Sequence, residues 1–284
     1  MLCAAPSRTF VAPAGPARDE GFLASIPRLR FVLPVLARSA NFLELLLQEP
    51  AIDVELTSSV VLLDPGLAFN VLQLANPEAA DENFLWQLSG ALVAAGRERM
   101  LNLLECVPRI SLESRSATGR KLLRLAQTAV ARGCVARMLA RELGGCHARK
   151  SFLTGLLFEL PAMIKLACPD ENGDEIRLQP WLQGSLPGRL TQGATEDLEG
   201  PACNQEALLA TTRIAEALLR RETIGAPANA AGLDAWHPWP GLTMSRRHAL
   251  LDRCCKLALW AEANVYRLHP WDFVSRLERQ NPWE

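Results

Sequence analysis

The sequence predicts an all-α protein arranged as a two-lobed helical bundle. Three observations carry this. Apolar residues recur at three- and four-residue steps along most of the chain. No segment alternates apolar and polar residues for long, and no two strand-like runs flank a hairpin turn. Asp, Asn, Ser, Pro and Gly fall where helices should start and stop. The 284 residues are 49% hydrophobic and 21% charged, a globular mixture that excludes a disordered or collagenous chain.

Residues 1–25 are rich in Ala, Pro and Gly and read as a flexible tail. From Phe31 the pattern turns helical through Val32, Leu36, Leu43, Leu46 and Leu47, closing at Pro50. Asp53 caps a second helix carrying Val54, Leu56, Val60, Val61 and Leu63. Asp64 is placed as the next N-cap, with Pro65 at the first helical position, where its missing N–H costs nothing. Leu67, Val71, Leu72 and Leu74 form that helix's stripe, and Asn76-Pro77 stops it. Phe84 to Ala95 is a fourth helix, ended by Gly96. Arg97 to Cys106 is a fifth, ended before Pro108.

The strongest periodicity spans 119–144. Leu122, Leu125, Ala126, Ala129, Gly133, Ala136, Ala140 and Leu143 step by three or four, and Gly144-Gly145 ends the run. Ala148 to Leu166 follows, interrupted by Pro161. Residues 169–202 read as a long loop. Asn204 caps a helix to Arg221, 222–244 is a second loop, and Ser245 caps a helix running to Leu268. A short helix over 270–280 closes the chain. The expected organisation is a tail (1–25), an N-terminal lobe (26–115) and a second lobe (116–284) containing both loops.

Net charge is -1, so no global field favours nucleic acid or an anionic membrane. The charge is nevertheless uneven. Residues 97–150 carry 12 basic and 4 acidic side chains, between acidic flanks. That segment reads as a binding face or as solvated helix surface, and interspersed helix charge favours the second. Eight cysteines show no C-x-x-C spacing, so reduced thiols in a cytosolic compartment are the simplest reading. The N-terminus lacks a signal-peptide apolar run, and no 18-residue apolar stretch exists to insert in a membrane.

Catalytic motifs are missing. There is no H-E-x-x-H, no G-x-S-x-G, no P-loop and no dinucleotide fingerprint. His147, His237, His248 and His269 are scattered. His147 beside Cys146, with Cys134 and Cys168, could make a metal site only if the fold gathered them, and both of the latter read better as small core residues. Arg120, Arg124, Arg132, Arg137 and Arg141 share one helix without interleaved aromatics, which argues against stacking on single strands. The helix reads as a phosphate-binding surface or as solvated helix charge, the second being favoured. Trp236 and Trp239 read as plugs holding their loop on the core rather than as a docking ledge.

These residues resemble the HDOD family, the HD-related output domain of bacterial signalling proteins. Phe31-Val32-Leu33-Pro34 is similar to the family's opening. Asp64-Pro65-Gly66-Leu67 through Val71-Leu72-Gln73-Leu74-Ala75-Asn76 is similar to its most recognisable block. Ala91 to Arg99 resembles the next helix, 119–144 the long Ala-rich helix, and Ser151-Phe152-Leu153-Thr154-Gly155-Leu156-Leu157 the following motif. Within it Asp64, Pro65, Asn76 and Gly155 are architectural positions.

The resemblance also carries an expectation about chemistry. Catalytic HD relatives are metal-dependent phosphohydrolases with a His on the Ala-rich helix and a His-Asp pair after Gly-Leu-Leu. Here those positions fall at Gln127 and at Phe158-Glu159. A phenyl ring ligates nothing, and a lone carboxylate does not hold a catalytic ion. The resemblance therefore implies a non-enzymatic signalling output or adaptor without a cofactor, cytoplasmic, binding a signalling protein and taking a signal in trans. Its expected contact surface is the groove between the lobes, with Arg97, Arg99, Arg120 and Arg124 as contacts and Phe158 and Glu159 marking the vacated metal pocket. The alternatives are a phosphohydrolase with an atypical metal site and a sensor that binds a cyclic nucleotide without hydrolysing it.

Overall fold

The computed structural model describes residues 32–49, 53–75, 88–144, 147–167, 205–219, 239 and 241–279. The tail, Asn76, the start of the Phe84 helix, the 169–202 loop, Cys146, Cys168, His237, Trp236 and most of 222–244 lie outside the described residues. The remainder is almost wholly helical, as the apolar periodicity predicts.

The first departure from the sequence reading is at Val32–Leu36. Rather than starting a helix, Leu33 and Pro34 lead into a two-residue strand, β1 (Val35–Leu36). It pairs in parallel with β2 (Arg109–Ile110), matching Val35 with Arg109 and Leu36 with Ile110. Two residues leave no periodicity to read. Pro34 supplies a physical reason for the delay, because it disfavours the helical conformation at Leu33.

Helix α1 (Ala37–Gln48) begins directly after β1. Helices α2 (Val54–Leu62) and α3 (Pro65–Leu74) start where expected, with Asp53 accepting from Leu56 N–H at 3.0 Å and Asp64 from Leu67 N–H at 3.0 Å. Asp64 also accepts the Leu36 N–H at 2.7 Å, so one buried carboxylate caps α3 and anchors the strand. Asn70, fully buried on α3, grips Leu33 at both ends: its amide donates to the Leu33 carbonyl at 2.8 Å and its oxygen accepts the Leu33 N–H at 3.0 Å. Burial pushes the Asp64 carboxyl up to about 6, opposed by bonds from Leu36, Leu67, Gly66 and Ser39.

Helix α4 (Leu88–Ala95) ends at Gly96, whose φ of 75° suits glycine, and α5 (Arg97–Cys106) starts at once. Helix α6 (Ala117–Leu143) is the longest element among the described residues, ending at Gly144 with φ 69°. Against it pack α7 (Ala148–Leu157), α9 (Gln205–Leu219) and α10 (Met244–Asn264). Between α7 and α8 (Leu160–Ala167) the helix breaks at Phe158-Glu159, leaving Pro161 in the first turn of α8, where it is tolerated. The cap of α10 is Thr243, whose hydroxyl accepts from Arg246 N–H at 3.3 Å, correcting the assignment to Ser245.

Helix α11 (Pro270–Leu277) returns to the N-terminal helices and packs on α2. Arg38 of α1 fastens this return. One arm of its guanidinium donates to the Tyr266 carbonyl and the other to the Leu268 carbonyl at 2.7 Å. Phe42 meets the His269 ring edge-on at 4.5 Å, and Trp260 stacks on buried Phe273 at 4.8 Å. Among the described residues the main apolar core runs from Leu33 to Leu277, and Ile110, Leu122 and Met163 form a smaller cluster of their own. Trp239 is half-buried against the main core.

Candidate functional site

The site is built where α6 crosses α7. Gly133 and Gly155 let the two backbones approach closely: a Cβ on Gly155 would lie 2.9 Å from Gly133 Cα and 3.0 Å from the Arg132 carbonyl. This gives Gly155 a steric reason for its place in the motif. Immediately beside the crossing, Arg132 leaves α6 toward the end of α7.

Arg132 is 1% exposed and is the largest fully buried side chain among the described residues. Its Nη2 donates to Glu159 Oε1 at 2.6 Å, and its guanidinium carbon lies 4.7 Å from the centre of the Phe158 ring. Cation–π attraction and a charge-assisted bond therefore hold one cation between consecutive residues at the α7–α8 break. Its Nε and Nη1, and the buried Thr154 Oγ1, have no hydrogen-bond partner among the described residues.

This corrects the sequence reading of Arg132 as solvated helix charge. A signal was available. Arg132 stands three residues after Ala129 and four before Ala136, the spacing that defines the buried stripe of α6. The sequence does single out Phe158 and Glu159, and the fold joins them through Arg132. Gln127 lies half-buried on α6, five residues before Arg132.

The donor set does not suit a divalent metal. Glu159 is already neutralised by a buried guanidinium, a poor neighbour for a second cation. Among the described residues no three His, Cys, Asp or Glu side chains gather. Cys134 is fully buried, and desolvation pushes its thiol up to about 12, far from a metal-binding thiolate. Burial, then Lys150 and Arg149, hold the His147 imidazole below its usual range. The start of α7 is thus electropositive, with Lys150 itself buried.

The four candidate contact arginines lie apart from this pair, on α5 and on the first turns of α6. Arg97 is exposed and donates to the Glu49 carbonyl at 3.3 Å; Arg99 is half-buried and donates to the Leu74 carbonyl at 2.6 Å. Both therefore meet the C-terminal ends of helices, α1 and α3, which favour positive charge. Arg120 and Arg124 are exposed one turn apart on α6, and Arg120 donates to the Arg115 carbonyl at 2.6 Å. Further along α6, Arg137 and Arg141 both bind Glu278, and Glu142 accepts from Arg253 of α10 at 2.8 Å.

No helix among the described residues is long and apolar enough to cross a membrane. No curated protein matches the sequence. A solved fragment, residues 20–298, of the response regulator MmoQ from Methylococcus capsulatus is similar over 90% of this chain and 94% of its own, with 16% identity and a TM-score of 0.40. The profile of the HDOD domain matches residues 33–178, just over half of the sequence and the whole stretch from β1 through α8. The strand pinned by Asp64 and Asn70, the glycine crossing and the helix break at Phe158-Glu159 all fall inside that match, and the chain belongs to the HDOD domain family.

Proposed function

We propose that this chain is a non-enzymatic output or adaptor module of bacterial, cytoplasmic signal transduction, which binds a signalling protein. The observation supporting it is the Arg132–Glu159 pair. At the position that catalytic HD relatives give to a metal ligand, the carboxylate here serves a buried arginine 2.6 Å away. A carboxylate so neutralised is a poor ligand for a metal ion and does not activate water. Exposed Arg120 and Arg124 are the partner contacts we favour, with Arg97 and Arg99 as further contacts that also brace the N-terminal lobe.

The test compares tagged wild-type chain with R120E/R124E in affinity capture, scored by quantitative mass spectrometry. The expected result is a stoichiometric partner lost in the double variant while helicity by circular dichroism is unchanged. Equal capture by both proteins would reject these contacts. Chelator-sensitive phosphodiester cleavage by the wild-type chain would reject the non-enzymatic reading itself.

A further inference from the structure

Arginine 132 is a buried cation with more donors than acceptors around it. Of its five N–H bonds, those on Nε and Nη1 meet no acceptor among the described residues. Glu159 binds Nη2, the nitrogen common to both two-point edges of the guanidinium. It therefore blocks bidentate recognition on either edge with a single contact. Thr154 lies one turn before Phe158 on the same face of α7, and its buried hydroxyl is also unpartnered among the described residues.

Burial without partners is costly, and it is relieved by an acceptor-rich anion. We propose that Arg132 is a receptor for the phosphate group of a small phosphate ester, held closed by Glu159. The arriving phosphate displaces the Glu159 carboxylate from Nη2 and takes a full edge of the guanidinium, with Thr154 as an additional donor. A phosphate fits better than a carboxylate because its several oxygens can meet both the planar fork and an off-plane hydroxyl. Glu159 is 20% exposed and forms the helix break, so the exchange opens at the surface rather than through the core. The proposal goes beyond the adaptor reading and holds whether or not a protein partner binds.

The test is a titration of the full chain with inorganic phosphate, at constant ionic strength with chloride as control, read by melting temperature and by calorimetry. Phosphate is expected to raise the melting temperature of the wild type. E159Q removes the competing charge and should bind phosphate about tenfold more tightly. T154V, which keeps the shape, should bind several-fold more weakly, and R132K should lose the response. Adenosine monophosphate and glucose 6-phosphate, run in parallel, show whether a nucleoside or a sugar carries the recognised group. A wild-type protein and an E159Q variant that both ignore phosphate, or an R132K variant that responds like the wild type, would overturn the proposal. T154V settles the matter if E159Q does not fold: binding equal to wild type counts against the site.

Discussion

Gly133 and Gly155 meet backbone to backbone, the Cβ position of Gly155 standing 2.9 Å from Gly133 Cα. The crossing of α6 and α7 is set by that contact, and the Arg132–Glu159 pair inherits its geometry from it.

Gly155→Ala should therefore destabilise the protein, although alanine is the better helix former. The new methyl group meets main chain rather than a side chain that can swing away. A loss of roughly 1–3 kcal/mol in urea denaturation is expected from such overpacking. A stabilised variant would mean that the helices separate at little cost.

Asn70→Leu should be destabilising for a different reason. The substitution preserves bulk but strips the Leu33 N–H and carbonyl of their partners. Each buried group left unpaired costs about 1–3 kcal/mol. Hydrogen exchange at the Leu33 amide should accelerate more than the change in global stability accounts for.

Asp64 gives a pH signature. Its carboxyl is raised from 3.8 to about 6, chiefly by burial. Between those values the folded protein holds a proton that the unfolded chain has released. Its contribution is thus full below about pH 4 and is lost as pH rises through about 6. Subtracting the stability profile of Asp64→Asn from that of the wild type cancels the other titrating groups. The difference should shift toward the wild type by on the order of 3 kcal/mol as pH falls from 7 to 4. Parallel profiles would refute the assignment.

The two halves of the Arg132–Glu159 pair should respond unequally to removal. Glu159→Ala leaves a buried guanidinium without its counter-charge and should cost about 3 kcal/mol or more. Arg132→Met leaves a carboxylate that is one-fifth exposed and can turn to water, and should cost less. Denaturation of both variants and of the double variant gives the comparison directly. The opposite order would mean that packing of the arginine stem, not charge, dominates at this site.

Most helix limits were legible because local chemistry sets them. Asp53, Asp64-Pro65 and the glycines at 96 and 144 act within a few residues of where they stand. Thr243 and Ser245 show the edge of that method: two hydroxyls lie within three residues, and the sequence pattern does not say which of them caps α10. The parallel pairing of Val35 with Arg109 was not legible, since it joins two-residue strands across more than seventy positions. The candidate site was half legible. Resemblance marks Phe158 and Glu159, and the stripe of α6 carries a signal for Arg132. The contact between them depends on how α6 and α7 cross, which no single-helix pattern contains.

The fastening of Arg38 to the Tyr266 and Leu268 carbonyls bears on how the protein is made. The two bonds close sequence separations of 228 and 230 residues. Contacts of such high order delay folding, because loop closure must precede any gain from them. On the ribosome, α1 emerges long before its carbonyl acceptors are synthesised. At about 5–20 residues per second that interval lasts on the order of ten seconds or more. Through it the face of α1 bearing Arg38 and Phe42 stays open, so the nascent N-terminal helices must remain soluble, or shielded, until Tyr266 and Leu268 arrive.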